Sequence, residues 1–470
     1  MRSRPDQAAT SVWRNRDFRL IWAGQTLSDL GSGITTLAYP LLMLALTRSP
    51  AQAGAVAAVC TLPYLLFGPV AGALADRWNR KRVMVICDSC RAVNLLTIPL
   101  ALRLWHVTPI QLYVTGFVGG VCYVFFSAAD AGALPNVVEK NQLTSAVAAQ
   151  QATSSATAVV APPLGGSLFQ LFHGLPFLAD AVSYLASAVA LSVVRLEFQQ
   201  SRARTRTTLR SEIAAGVRWL WSHPVIRTVA IVAAGLQLAM AGAELVVIIA
   251  AQRVDASAGV IGVLLSTVGI GGVAGSVIAS RLRARLGLGR TLIGVMWAQA
   301  ALWILIGLSA HILLITGALL VAFVATAQVF GIASLSYQLA VTPDHLQSRV
   351  GTAFKLIAWS TYPVGAGIAG VVLDRFGPAA TSLAFGGWVL AIALFASLGD
   401  GLRKLDSDPA APPIGRSRPA KGETPSERSR PAHDSGSSTR WLRQRPIRNT
   451  SRRIARRLQR RAPAEHPPIG

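Results

Sequence analysis

Seven ionisable side chains lie inside long apolar stretches of this sequence. They are Asp29, Asp88, Arg91, Asp130, Asp180, Glu244 and Lys355. A charge is costly in hydrocarbon, so ionisable residues placed there pair with one another, bind protons or contact a polar ligand. A carboxyl group in a low-dielectric cavity also holds its proton more tightly, because desolvation disfavours the charged form. Proton binding and release is therefore the chemistry that these residue types offer.

The spacing of these residues separates their expected roles. Asp88 and Arg91 are three residues apart on one face of a helix, and a structural ion pair is the favoured interpretation. Asp180 lies near the end of its stretch and is expected to reach water. Asp29 and Glu244 lie well inside their stretches, so they are the candidates for proton coupling. An internal salt bridge or hydrogen bond is the alternative role for each.

The elements that position these groups are predicted to be membrane-spanning helices. Hydrophobic residues make up 52% of the chain and charged residues 14%, whereas soluble domains carry about a quarter charged residues. A helix needs about 20 mostly apolar residues to cross the hydrocarbon. The sequence predicts an all-α integral membrane protein with twelve transmembrane helices. The twelve stretches lie near residues 18–46, 52–75, 83–102, 109–134, 143–171, 176–194, 228–250, 257–280, 291–310, 312–342, 350–373 and 379–399.

The loops between these stretches differ in positive charge. Alternate loops hold 17 Lys and Arg on one side and four on the other. Because basic loops stay in the cytoplasm, this asymmetry predicts a multi-pass protein of the inner (cytoplasmic) cell membrane with both termini cytoplasmic. The segment 141–179 has no Asp, Glu, Lys or Arg and is too long for one crossing, which predicts a hairpin turn at His173 and Gly174.

A basic segment divides the stretches into six and six. The expected domains are an N-terminal half at 1–195, a cytoplasmic linker at 196–227, a C-terminal half at 228–400 and a disordered basic tail at 401–470. Residues 213–221 of the linker are expected to form an amphipathic helix on the inner membrane face. Anionic lipid headgroups are the expected partners of linker and tail. For the tail, an inert solvated segment and nucleic-acid binding are the alternatives, and nucleic acid is the less favoured.

The loop after the second stretch carries the most specific motif. It reads Gly72-Ala-Leu-Ala-Asp76-Arg77-Trp-Asn79-Arg80-Lys81-Arg82. This loop resembles the signature of the major facilitator superfamily, with Asn79 in place of a glycine, and Asn also tolerates a left-handed turn. An ordinary basic loop would account for the arginines but not for Gly72 and Asp76 at the matching offsets. The resemblance implies a major facilitator fold of two six-helix halves.

Further segments resemble the drug- and siderophore-exporter branch of that superfamily, which includes enterobactin exporters and macrolide efflux proteins. They are residues 13–34, 131–138 and 215–224. In the fifth stretch, Pro162, Pro163, Gly165 and Gly166 resemble an exporter-associated motif, for which helix packing and a kink are the alternative explanation. The fourth stretch lacks the Arg found in many proton-coupled drug exporters. The resemblance therefore does not imply that this chain couples transport to protons by the mechanism of those exporters.

The resemblance implies a secondary transporter that exports a hydrophobic or amphipathic small molecule, such as a drug, antibiotic or siderophore, in exchange for protons. It also implies a cytoplasmic charge lock of Asp76, Arg80 and Asp130, which Lys355 can join. The sequence shows no P-loop pattern and no metal-binding cluster, so an enzyme, a cofactor or a metal site is not expected. The chain is expected to act as a monomer. Uptake is one alternative, and a membrane scaffold or sensor that keeps the fold without transport is another.

Overall fold

The computed structural model describes residues 12–75, 77–139, 141–194, 209–343 and 346–398. Regular structure in these ranges is helical: a short 3-10 helix at Val12–Arg14 and thirteen α-helices. The helices are α1 (Arg16–Thr47), α2 (Pro50–Ala75), α3 (Arg80–Leu104), α4 (Pro109–Val137), α5 (Leu143–Leu171), α6 (Leu175–Val193), α7 (Leu209–Ser222), α8 (Pro224–Gln252), α9 (Ala258–Leu286), α10 (Leu288–Leu308), α11 (Leu313–Val341), α12 (Gln347–Ser360) and α13 (Tyr362–Leu398). The predicted tail, the last residue of the predicted N-terminal half and the first part of the linker, 196–208, lie outside the described residues.

Ten segments of the described chain are long and apolar enough to cross a membrane. The last of them, Arg349–Leu398, has 50 residues and would be about 75 Å long as a straight helix, far more than one bilayer crossing. It is interrupted at Gly377, where φ is 79° and ψ is 179°. Helix α5 is 29 residues long but is too polar to count among the ten. An all-α membrane fold is confirmed, while the count of twelve crossings depends on α5 and on the turn at Gly377.

Several helix ends follow directly from local sequence. The predicted turn at His173 and Gly174 is confirmed, because α5 ends at Leu171 and α6 begins at Leu175. Asn79 was expected to suit a left-handed turn, but its φ is −66° and its side chain accepts a hydrogen bond from the Arg82 amide. It is an N-cap of α3, the position at which Asn is among the most favoured residues.

The eleventh predicted stretch is divided rather than continuous. Helix α12 ends at Ser360 and α13 begins at Tyr362. Between them the Thr361 hydroxyl donates to the carbonyl oxygen of Ala234 on α8, 2.5 Å away. This side-chain bond anchors the break to the neighbouring helix.

Helices α1 to α6 pack against one another, and so do α8 to α13. The two sets meet through α5 with α9 and α2 with α13. We call the end of the bundle that carries the loop 77–82 the basic end, and the end that carries Arg48 and Arg253 the far end. The exact boundaries of the predicted halves stay a prediction.

The two sets approach each other backbone to backbone near the far end. A Cβ atom on Gly166 of α5 would collide with the carbonyl oxygen of Ala258 at the start of α9, and a Cβ on Gly54 of α2 would lie 2.7 Å from the Cα of Gly370 on α13. Ser49 also donates a 3.3 Å hydrogen bond to Asp374 across the two sets. Small residues therefore allow the contacts that close the far end.

Helix α7 packs mainly on α12 and also contacts α8 and α2. Leu220 is fully buried, Gly216 lies against the carbonyl group of Arg349, and Trp221 is half exposed. Leu220 therefore packs inside the protein, so the predicted amphipathic helix at 213–221 does not turn all of its apolar residues to the membrane. Lipid contact by the remaining surface of α7 stays a prediction.

We predict that Gly166→Ala opens the far end. The added methyl group forces the α5 and α9 backbones apart, at a cost of about 1–3 kcal/mol for overpacking. A cysteine at Ser49, in a background without other cysteines, should react faster with a maleimide in detergent when Gly166→Ala is present. Gly272→Ala on α9 is the matched control, since a Cβ there meets no atom within 4 Å. Equal labelling rates for both variants would contradict the prediction.

Candidate functional site

A cavity of about 690 Å³ lies between the two sets of helices. Helices α1 to α6 supply most of its lining. Ala241, Glu244 and Leu245 of α8 and Tyr362 of α13 complete it from the other set. The position between two helix sets is where a ligand can contact both at once.

The cavity lining combines carboxyl groups with aromatic rings. The ionisable side chains on it are Asp29, Arg91, Asp130, Asp180 and Glu244, and the aromatic ones are Tyr39, Tyr123, Phe126, Tyr184 and Tyr362. Acidic groups outnumber the one cation of the lining by four to one. Such a surface suits a partly apolar molecule, and it favours either bound protons or a bound positive charge.

Arg91 lies at the centre of a buried polar cluster on the wall formed by α1 to α6. Its Nη1 atom is 3.7 Å from Asp88 Oδ1, and its Cζ atom lies 3.9 Å from the centre of the Tyr184 ring. Its Nη2 atom lies 3.5 Å from the Ser32 hydroxyl, which forms a 2.7 Å hydrogen bond with the Tyr184 hydroxyl. The Arg91 guanidinium therefore bridges α3, α1 and α6.

The position of Asp180 near a helix end predicts that it reaches bulk water, but the structure shows that it does not. Only 1% of its surface is exposed, and one edge of it lines the cavity. Its neighbour Ser183 donates a 3.2 Å hydrogen bond to Asp180 Oδ1. Gly31 of α1 packs directly over both residues, at a distance that leaves no room for a Cβ atom. The close approach of α1 is what buries Asp180.

Asp29 and Asp130 occupy the same wall of the cavity. Asp29 is exposed to the cavity, whereas Asp130 is half-buried and accepts a hydrogen bond from the Gln25 amide. The oxygen of that Gln25 amide accepts a 3.0 Å bond from Gln150. A chain of polar groups thus joins α5, α1 and α4 along the wall.

Glu244 provides the acid of the opposite wall. It lies on α8, is half-buried, and faces the cavity near Tyr362. Within the described part of the chain, no Lys or Arg lies within ion-pairing distance of it. Asp29 and Glu244, the two predicted coupling candidates, therefore line the same cavity from different helix sets.

Two basic residues of the predicted signature loop and charge lock contact backbone carbonyl groups of neighbouring helices. Arg80 donates a hydrogen bond to the carbonyl oxygen of Gly132, two residues after Asp130 on α4. Lys81 donates to the carbonyl oxygens of Ser192 and Val194 at the end of α6. Asp76 lies outside the described residues.

Three other residues of the predicted signature loop and charge lock are exposed or have no neighbouring atoms close to them. Arg77 is exposed, and a Cβ atom on Gly72 would meet nothing within 4 Å. Lys355 is exposed on α12. The described contacts of this loop with other helices come from Arg80, from Lys81 and from Trp78, whose ring stacks on Phe125 of α4.

The exporter-like residues of α5 lie at the interface between the two sets. The carbonyl oxygen of Pro162 lies directly over Gly262 of α9, and Gly166 contacts Ala258. Gly165 instead packs against the backbone of Ile34 on α1. Pro163 lies inside the helix beside Pro162. The motif thus forms a packing surface and contributes no group to proton chemistry.

Sequence reasoning missed Gln25, Gly31 and Tyr184 as parts of the site. A signal for part of this wall was present, because Gln25, Asp29 and Ser32 follow a spacing of four and three residues and so share one helical face. Gly31 and Tyr184 carry no such signal. Their roles depend on which helices meet.

Comparisons with known proteins agree with this geometry. The model of the transmembrane secretion effector family matches residues 7–419. The multidrug efflux pump Tap of Mycolicibacterium fortuitum is 28% identical over 414 residues, which cover 84% of this chain and 98% of Tap. Macrolide efflux protein A of Streptococcus pyogenes is 27% identical over 185 residues, which cover 38% of this chain and 44% of that protein.

A solved structure of the nucleoside transporter NupG superposes with a TM-score of 0.67 at 15% identity, covering 81% of this chain and 98% of NupG. That similarity shows the shared fold. The match of the family model across most of the chain shows the family. The chain belongs to the transmembrane secretion effector family and is a major facilitator transporter of the drug-exporter branch.

Proposed function

We propose that this protein exports amphipathic small molecules across the cytoplasmic membrane in exchange for protons. The observation that carries the proposal is a cavity between two helix sets, lined by aromatic rings and by carboxyl groups from both sets. The relatives named as multidrug and macrolide efflux proteins support export as the direction. The cavity is complete within one chain, which supports a monomer as the transport unit.

The closed far end supports an alternating-access cycle. The glycine contacts between α5 and α9 and between α2 and α13 seal that end. If the basic end is cytoplasmic, a closed far end is what an inward-facing state, which loads substrate from the cytoplasm, requires. Rocking of one helix set against the other would then open the far end.

The function is tested by measuring accumulation of antibiotics and siderophores in cells with and without the protein. Lower accumulation of at least one compound in expressing cells supports export. Higher accumulation would establish uptake instead. The same measurement on a chain truncated at residue 400 separates a transporter, which should still work, from a scaffold that acts through its tail.

Asp29 and Glu244 are proposed to couple protons to substrate. We predict that Asp29→Asn or Glu244→Gln abolishes export driven by a pH gradient while substrate binding partly survives, because the neutral side chain keeps its size but cannot release a proton. Proton flux and substrate flux in inverted vesicles measure this. Asp255→Asn is the control, since Asp255 is an exposed residue outside the cavity with φ of 54°, which Asn also adopts. Uphill export at the normal ratio in both cavity variants would exclude both residues as proton carriers.

The orientation is proposed from loop charge. We predict that a cysteine at Arg48 is labelled by a membrane-impermeant reagent added to intact cells, and that one at Arg206 is not, because basic loops stay in the cytoplasm. Both cysteines should be labelled in opened membranes. The predicted topology would be wrong if the cysteine at Arg206 were labelled in intact cells. It would also be wrong if the cysteine at Arg48 were labelled in opened membranes but not in intact cells.

A charge lock of Asp76, Arg80 and Asp130, with Lys355 as a further member, is proposed to hold the basic end closed when the far end opens. The contact of Arg80 with Gly132, two residues after Asp130, supports a position for the Arg80 side chain against α4. Arg80 would act in the lock in the other state of the cycle, when the two helix sets close over the basic end.

We predict that Gly132→Ala displaces Arg80 and slows export. A methyl group at Gly132 would collide with the Arg80 guanidinium. Loss of a hydrogen bond from a charged group costs about 1.5 kcal/mol, which changes an equilibrium roughly tenfold. Export rate in inverted vesicles is the measurement, and Gly331→Ala, where a Cβ meets nothing within 4 Å, is the control. An unchanged rate for Gly132→Ala would argue against the lock.

A further inference from the structure

Two acids and one arginine are buried together in the cavity wall, where Arg91 and one edge of Asp180 line the cavity. Asp88 is 0% exposed, Asp180 is 1% exposed and Arg91 is 7% exposed. Asp88 and Arg91 lie on successive turns of α3, and Asp180 of α6 is near enough to interact electrostatically with Arg91. We call these three residues the buried triad. Asp180 alone among the acids of the triad also lines the cavity.

The charges of the triad do not balance when all three residues are ionised. Two carboxylates and one guanidinium leave one negative charge among side chains that are at most 7% exposed. A buried charge without a partner is unstable, and a carboxyl group escapes that cost by taking up a proton. One proton on either acid makes the triad neutral.

The hydrogen bonding of Asp88 points the same way. Neither of its oxygens has a hydrogen bond of normal geometry in the described structure, and the hydroxyl of the adjacent Ser187 has none either. The contact of Asp88 with Arg91, at 3.7 Å, is an ion pair that is too long for a hydrogen bond. Even with the Ser187 hydroxyl as a donor to one oxygen, the fully buried acid keeps an acceptor atom with room for a proton.

The groups around the triad supply no second cation. Those that face it are Asp29 and Tyr39 of α1, Cys87 and Cys90 of α3, Cys122, Tyr123 and Asp130 of α4, and Tyr184 of α6, with Cys60 of α2 beside Tyr39. All of them are acids, phenols or thiols. Within the described residues, the balancing positive charge must therefore come from a proton.

We propose that Asp88 and Asp180 share one exchangeable proton, balanced by Arg91, and that this proton enters and leaves through the edge of Asp180 at the cavity. Asp88 and Asp180 are different residues from Asp29 and Glu244, the acids proposed to couple protons to substrate. Uptake forms one O–H bond on a carboxylate and makes the triad neutral. Release returns the proton to cavity water and leaves one negative charge beside the cavity. The use of this proton in the transport cycle rests on the proposed function, but its presence does not.

The test is infrared spectroscopy of the purified full chain in lipid nanodiscs at neutral pH, because protonated carboxyl groups absorb apart from carboxylates. Asp88→Asn and Asp180→Asn should each remove the signal of one protonated carboxyl. The double substitution should remove no more than either single one, since one proton is shared. Arg91→Gln should add the signal of a second protonated carboxyl. Asp255→Asn, on the exposed loop, is the control and should change nothing.

Three results would overturn the proposal. The first is that neither single substitution changes the signal. The second is that the double substitution removes the signal of two protonated carboxyl groups. The third is that transfer to heavy water fails to shift the band, which would mean that the proton does not exchange. The Arg91→Gln result is not needed for a decision if that variant fails to fold. Absence of pH-driven export in vesicles of the unmodified protein would refute the proposed function, while the infrared result would still decide the proton site.

Discussion

The attraction between Arg91 and its buried acids is the interaction on which the cavity wall depends. Removing one partner from such a group leaves an uncompensated charge, at a cost of about 3–5 kcal/mol. The guanidinium also packs on the Tyr184 ring and approaches Ser32, so the same side chain draws α1, α3 and α6 together. Gly31 permits this approach by lying against Asp180 without a side chain of its own. On this wall the attraction between Arg91 and the acids therefore depends on the close packing of α1, and that packing depends on the attraction.

The contact between the two helix sets has a different physical basis. Among the described residues, the contact at the far end is made by glycines, prolines and backbone carbonyl groups, and by the hydrogen bond between Ser49 and Asp374. Dispersion contacts of this kind are individually weak and are lost together when surfaces separate. A rigid, charge-stabilised wall inside one set and a weakly bonded contact between the sets is the combination that alternating access needs. The break at Thr361 separates α12 from α13 inside the second set.

Much of the fold followed from the sequence because hydrocarbon imposes length and polarity on each crossing. The helices begin and end close to the predicted stretches, and Asp29, Asp130 and Glu244 line the cavity because charged residues in crossings face the interior. The burial of Asp180 was not predictable, since it depends on the contact of α6 with Gly31. For α7 the apolar positions showed that one face is covered, but not that α12 covers it. The role of Asn79 was misread because a cap and a left-handed turn use the same residue type.

The polarity of α5 has a consequence for how the protein enters the membrane. Gln150, Gln151, Thr153, Ser154 and Ser155 follow one another within it, and such residues partition poorly into lipid from the translocon. Helix α6 begins four residues after α5 ends and is apolar enough to cross alone. The two helices are therefore expected to integrate as a hairpin, with α6 drawing α5 in. Helix α5 then packs against α1, made earlier, and against α9, made later, so that its contacts are complete only when the second helix set arrives.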